Sequence, residues 1–278
     1  MGSARGKVVF ITGGAAGVGA EVAKRLHAKG AKLVLTDVDA TQLDAMSATL
    51  GDNVLTVVAD VRDLDAMQAA ADAAVARFGG IDVVMANAGI LSYASVLQVD
   101  PDVFKRILDI NVLGVFHTVR ATLPSIIDRK GYVLIVSSLA AYTAAPGLAA
   151  YNASKAAVEQ FANALRLEVS YRGVAVGSAH MSWIDTAMVR DIKAGMSTFD
   201  ELITRLPWPL NQTTSVEKCG EALVAGIEDR KARMNCPSWV GVLRWLKPIL
   251  ATRIGEAPVM KLVPDLLPRM DAEAAGKR

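Results

Sequence analysis

Short apolar runs alternate with longer Ala- and Leu-rich stretches through most of the chain. The runs at 8–12, 33–36, 54–58, 81–86, 132–136 and 174–176 are rich in β-branched residues and lack strict alternation. That pattern predicts parallel strands covered on both faces. Between them lie helix-length segments such as 21–29, stopped at Gly30, and 63–78, stopped at Gly79 and Gly80, where glycine can take the left-handed cap. This β-α repeat predicts right-handed crossovers and an α/β fold with a doubly wound parallel sheet of Rossmann type, helices on both faces. Its ligand crevice lies beyond the carboxyl ends of the strands.

After Val176 the pattern changes. The stretch 178–215 carries Met181, Trp183, Met188, Met196, Phe199, Leu206 and Trp208 without a clean period, and an excursion after a strand overhangs the crevice. It is read as a substrate lid, followed by a helix over 216–230. No solenoid repeat or low-complexity linker interrupts the chain, so residues 1–278 are read as one domain: a core over 7–230 and a C-terminal extension over 231–278.

Composition narrows the class. Hydrophobic residues make up 52% and charged residues 21% of the 278, enough for a large core. Cys219 and Cys236 are the only cysteines and form no C-x-x-C pair, so they are expected as buried reduced thiols. No leader or spanning segment is expected from the apolar run lengths, which points to the cytoplasm. His27, His117 and His180 lack metal-ligand spacing and no G-x-S-x-G elbow occurs, so no metal is expected and a hydrolase finds no support. His180 is read as structural. The net charge of +2 hides an asymmetry, with 10 Lys/Arg against 4 Asp/Glu from residue 230 onward.

The first candidate site follows the first strand: Thr12-Gly13-Gly14-Ala15-Ala16-Gly17-Val18-Gly19, then a helix. Glycine lets the backbone approach a pyrophosphate, while the helix start offers unpaired N–H groups to the anion. Asp37 ends the second strand, 18 residues beyond Gly19. A carboxylate there can accept from ribose hydroxyls and repels a 2′-phosphate, which favours NAD over NADP. Ala15 and Ala16 offer no cation for an added phosphate, although Lys32 lies near.

The spacing Thr-Gly-x-x-x-Gly-x-Gly, then Asp60-Val61, Asn87-Ala88-Gly89, Asn111, Ser138 and Tyr151-Asn152-Ala153-Ser154-Lys155, resembles the short-chain dehydrogenase/reductase family across residues 7–230. The resemblance implies that Asp60 and Val61 border the adenine and that Asn87, Ala88 and Gly89 floor the cofactor site beside Gly13, Ala16, Gly17, Val18 and Gly19. It makes Tyr151 the general acid/base, with Lys155 lowering its pKa and binding the nicotinamide ribose. Ser138 holds the substrate oxygen, and Asn111 binds a water that relays protons. Ser137 is the neighbouring alternative, but strand alternation sends the two serines to opposite faces.

Residue chemistry bears on the same pair. Tyr151 and Lys155 stand four apart in a helical segment and so share a face. Bringing a phenol from about 10 to about 7 takes roughly 4 kcal/mol, and an ammonium at about 4 Å in an effective dielectric near 20 supplies about that.

Where the family has Pro-Gly-x-Val/Ile-x-Thr, this chain has Met181-Ser182-Trp183-Ile184-Asp185-Thr186. Ile184 and Thr186 match and are implied to contact the nicotinamide carboxamide; Met181 and Ser182 depart. The lid's Met, Trp and Phe content either lines a site for an apolar lipid-like, steroid-like or cyclic substrate or packs on itself. In the tail, Trp239, Val242, Leu243, Leu246, Ile249 and Leu250 recur at helical spacing among Arg244 and Lys247, which suits an oligomer interface or peripheral contact with an anionic membrane. No basic run with interleaved aromatics calls for nucleic acid. Relatives form homodimers or homotetramers through helices around 101–124 and 151–171. The expected function is NAD-dependent oxidoreduction between a secondary alcohol and its ketone. The alternatives are an NADPH-dependent carbonyl or 3-oxoacyl-thioester reductase and a non-catalytic dinucleotide-sensing protein.

Overall fold

A computed structural model describes residues 3–275; the first two residues and 276–278, the end of the expected tail, lie outside them. Seven parallel strands form one sheet in the order β3-β2-β1-β4-β5-β6-β9. These are β1 (Val8–Thr12), β2 (Lys32–Asp37), β3 (Val54–Val58), β4 (Val83–Ala86), β5 (Tyr132–Val136), β6 (Ala175–Met181) and β9 (Arg233–Cys236). Alternation within β1 explains why helices flank both faces: Val9 and Ile11 join one core cluster, Val8 and Phe10 the other. The helices α1 (Gly17–Ala28), α2 (Ala40–Leu50) and α9 (Val216–Glu228) cover the first face. The second is covered by α3 (Leu64–Phe78), α5 (Gly114–Asp128) and α6 (Ala149–Val169), with α4 (Pro101–Leu108) packed against α6. Local signals explain their ends: Asp63 caps α3 by accepting from Asp65 and Ala66, and Gly79 closes it in the left-handed conformation.

The strand order reverses between β1 and β4, so the crevice opens where Gly13 and Asn87 emerge. Two stretches differ from the pattern reading. Strand β6 runs to Met181 rather than ending at Val176, because Gly177–Met181 pairs on both sides, with β5 and then β9. Strand β9 lies beyond residue 230, so the sheet continues into the region read as a C-terminal extension. It alternates, Met234 and Cys236 buried and Arg233 and Asn235 half-buried, and this is not the continuous apolar run that marked the others.

The lid is structured. Strands β7 (Trp183–Ile184) and β8 (Thr213–Thr214) pair and enclose α7 (Ala187–Gly195) and α8 (Ser197–Arg205). Three helices end the chain: α10 (Val240–Leu250), α11 (Arg253–Met260) and α12 (Val263–Ala275). Among the described residues one helix, Pro101–Asp128, is long and apolar enough to cross a membrane, but its buried side packs in the core with α6 and β5.

Candidate active site

One cavity of about 570 Å³ runs from the glycine turn to the lid. Its first end is built by close backbone packing. Gly13 and Gly17 hold φ of +63° and +53°, and a Cβ on Gly19 would stand 2.1 Å from the Gly13 carbonyl oxygen. Gly19 does not line the cavity; it lets α1 approach the turn, whereas Gly13, Ala16, Gly17 and Val18 form the wall. Across the switch point the Asn87 side chain donates to the carbonyls of Thr12 and Gly13 at 3.0 and 3.1 Å. Thr12 Oγ1 accepts from the Asn87 and Ala88 amides at 3.1 Å. The Asn87-Ala88-Gly89 floor is thus bonded to the turn it faces.

Asp37 accepts from the amides of Ala15, Val38 and Asp39 at 3.2, 2.8 and 3.3 Å. The carboxylate therefore closes the glycine turn and faces the cavity. Asp60 and Val61 line the same end, where Asp60 pairs with Arg62 through contacts of 2.8 and 2.5 Å. The Arg62 side-chain hydrogen bond, more than any other influence, holds the Asp60 carboxyl below its ordinary pKa. Arg62 and Arg106 also line the cavity; no sequence motif had marked them. A turn with room only for glycine, helix amides behind it and a carboxylate at the end of β2 together fit a nicotinamide dinucleotide.

Tyr151 and Lys155 project from α6 into the middle of this cavity. Lys155 Nζ donates to the Val136 carbonyl at 3.0 Å and stands 5.6 Å from the Tyr151 ring centroid. Burial pushes its pKa down to about 8. Burial also raises the Tyr151 pKa, opposed by a hydrogen bond from Ser138. Desolvation outweighs the Ser138 bond, and the Lys155 ammonium is directed at the Val136 carbonyl. Ser138 caps the turn Leu139–Ala141 by accepting from Ala140 at 3.1 Å and faces Tyr151. Ser137 donates to the Lys155 carbonyl at 3.0 Å and anchors α6 to β5.

Asn111 is fully buried in a π-helical turn, Asp109–Leu113, and does not line the cavity. Its amide donates to Ile90 O and Ser154 Oγ at 2.9 and 3.0 Å and accepts from the Ile90 amide at 2.8 Å. It stands behind Gly89: a Cβ there would lie 3.2 Å from Asn111 Oδ1 and 3.5 Å from Lys155 Nζ.

The far end is apolar. Leu91, Leu148, Trp183, Met188, Leu202, Leu206 and Leu210 line it, with Val259 from α11. The lid's apolar residues divide, since Met196 and Phe199 instead pack with Tyr93, Leu266 and Met270. Met181 replaces the family's proline without breaking the chain path: it pairs with Cys236, and Ser182 donates to the Cys236 carbonyl at 2.9 Å. Ile184 and Thr186 line the cavity, and Thr186 Cγ2 lies 3.5 Å from the Cβ direction of Gly17, so the lid's base abuts the glycine turn. His180 is fully buried, stacks on Tyr142 at 4.4 Å and meets Ser178 Oγ and Ser138 O at 3.0 and 3.3 Å. Burial lowers its pKa to about 4. Sequence reasoning passed over Asn152, whose amide donates to Ala140 and Thr143 at 2.8 and 2.9 Å and so shapes the wall beside Ser138. Its place inside the Tyr151–Lys155 stretch was the available signal.

Comparison with known proteins places this architecture. Cis-2,3-dihydrobiphenyl-2,3-diol dehydrogenase of Paraburkholderia xenovorans is 37% identical over 171 residues, 60% of this chain and 62% of that protein. The oxidoreductase SadH of Mycobacterium tuberculosis is 36% identical, with 84% of this chain and 87% of that one matched. An uncharacterised NAD-dependent oxidoreductase of the same organism is 34% identical over 71% of this chain and 78% of its own. A short-chain dehydrogenase/reductase from Burkholderia phymatum, solved with NAD, superposes with a TM-score of 0.78 at 24% identity, covering 88% of this chain and 94% of that one, a likeness of fold. The short chain dehydrogenase profile matches residues 7–197, the span that holds the glycine turn, Asp37 and the Tyr151–Lys155 pair; the chain belongs to the short-chain dehydrogenase family, oxidoreductases that act on CH–OH groups with a nicotinamide dinucleotide.

Proposed function

We propose that the chain interconverts a secondary alcohol and its ketone with NAD, on a neutral apolar substrate of lipid-like, steroid-like or cyclic shape. One observation carries the reading: in a single cavity the ionic side chains Asp37, Asp60, Arg62 and Arg106 gather at the glycine-turn end, while the wall beyond Tyr151 is apolar. A charged substrate would meet no partner there. The dihydrobiphenyl-diol specificity named for the first relative agrees in class.

In this reading Gly13, Ala16, Gly17 and Val18 hold the pyrophosphate, and Gly19 keeps their turn in shape. Asp37 takes the adenosine ribose and Asp60 and Val61 the adenine. Asn87, Ala88 and Gly89 form the floor, Lys155 holds the nicotinamide ribose, and Ile184 and Thr186 meet the carboxamide. A bound nicotinamide supplies the hydride acceptor or donor. Tyr151 exchanges a proton with the substrate oxygen that Ser138 positions. Raised by burial, its phenol stands protonated and suited to delivering a proton to a ketone; removing one from an alcohol is favoured as pH rises. Asn111, bonded to Ile90 and Ser154, fixes the Gly89 floor from behind. The phenol, serine and ammonium, gathered in one cavity, support turnover over a purely dinucleotide-sensing role.

The same reading makes the protein a cytoplasmic homo-oligomer. Cys219 and Cys236 are free and buried, as a reducing compartment favours. Exposed Leu113 and Phe116 lie on the 101–128 helix and Leu167 and Tyr171 at the end of α6 and just beyond it, on the helices through which the family resemblance implies assembly.

The test is NADH appearance with a panel of alicyclic, long-chain and charged secondary alcohols, run in parallel with NADP. Turnover on apolar members with NAD is expected. Preference for NADP, or for hydroxy acids over neutral alcohols, sinks it.

A further inference from the structure

Helix α10 carries two apolar stripes, and the fold covers one. The inner stripe, with Val240 and Leu243 following Trp239, packs on Leu139, Tyr142 and Leu210, beside the cavity that Leu210 lines. The outer stripe is Val242, Trp245, Leu246 and Ile249, the i, i+3, i+4, i+7 spacing of one helix face. These side chains are 58, 76, 38 and 55% exposed, and Ile254 in the first turn of α11 is 83% exposed. Isolated exposed apolar residues are ordinary, but a contiguous stripe is an interaction surface.

Charge selects the occupant. Residues 231–255 contain five Lys or Arg and no Asp or Glu. Arg244 lies over the Trp245 ring at 5.1 Å, Arg253 is exposed, and Lys247 reaches back to Glu159 at 3.5 Å. A second copy docked through this face would bring Arg244 and Arg253 of both copies into one interface, with only Glu256 of α11's first turn as an acid beside them. An anionic lipid surface supplies the opposite charge across the whole face, and Trp245 has the apolar body and polar N–H that suit the headgroup boundary. We propose that the outer face of α10, with Ile254, docks the protein peripherally on an anionic lipid bilayer. This stands apart from the substrate reading, because none of these residues lines the cavity.

The experiment is sedimentation of the full chain with vesicles of phosphatidylcholine alone and of phosphatidylcholine mixed with phosphatidylserine. Partition into the mixed vesicles is expected to be at least about tenfold stronger, at about fivefold per basic residue near the surface, and to fall with added salt. The double variant Trp245→Glu/Ile249→Glu should abolish it while leaving turnover of a water-soluble alcohol unchanged. Arg253→Glu should weaken it by about fivefold or more. Equal partition into both vesicle types, absence of binding, or binding retained by the double variant overturns the proposal. So does a drop in particle size by light scattering in that variant, which would assign the face to a second copy.

Discussion

Replacing Lys155 by Met should stabilise the protein while removing its activity. The ammonium is buried, and its pKa in the fold is about 8 against an ordinary 10.5. A lysine depressed in this way binds its proton more weakly folded than unfolded, so folding carries a cost that is complete below about pH 8. The cost disappears as pH rises through 10.5. At 1.36 kcal/mol per pKa unit it amounts to about 3 kcal/mol at pH 7 and about half that at pH 9.5. Methionine preserves the stem's packing but forfeits the charge-assisted hydrogen bond to Val136, worth about 2 kcal/mol. The variant should therefore gain about 1 kcal/mol at pH 7, and the gain should vanish toward pH 9.5. Urea unfolding of both proteins at the two pH values measures it. A variant less stable than the parent at pH 7, or a difference that does not shrink with pH, refutes the reasoning. Turnover by the variant at the parental rate would remove Lys155 from the chemistry.

Tyr151→Phe should lower kcat by about 100-fold to 10,000-fold, the range for loss of a general acid/base, with NAD affinity from fluorescence titration unchanged. For the parent enzyme, alcohol oxidation should accelerate with alkaline pH and ketone reduction decline, since burial holds the Tyr151 phenol above its ordinary pKa; a flat profile in both directions contradicts that. Gly19→Ala places a methyl 2.1 Å from the Gly13 carbonyl and should weaken NAD binding at least tenfold by displacing the turn, as calorimetry would show. Val259→Phe narrows the wall that α11 contributes; kcat/KM should fall for bulky cyclic alcohols and hold for small ones.

Much of the site is legible in the chain because its geometry is local. Tyr151 and Lys155 share a face through the helix repeat alone. The glycine turn follows from one strand meeting one helix, and Asp37 sits where β2 must end. Strand β9 escaped the pattern because its four residues alternate, Arg233 and Asn235 with Met234 and Cys236, and form no apolar run. The family resemblance implies Asn111 in the proton relay and Gly19 among the cofactor-binding residues; in the fold Asn111 bonds Ile90 and Ser154, and Gly19 is a clearance. Arg62, Arg106 and Val259 carried no motif and enter only because distant segments converge.

What the sequence by itself determined is whatever rests on neighbours along the chain: the β-α repeat, the switch-point crevice, the glycine turn and the order of the candidate site residues. Tertiary structure decided what depends on water being excluded and on which segments meet. It set the direction of the Tyr151 and Lys155 pKa shifts, divided the lid's apolar residues between core and cavity, and left one stripe of α10 uncovered. The physical reason is that backbone periodicity is a short-range property, whereas desolvation and burial are summed over the whole fold.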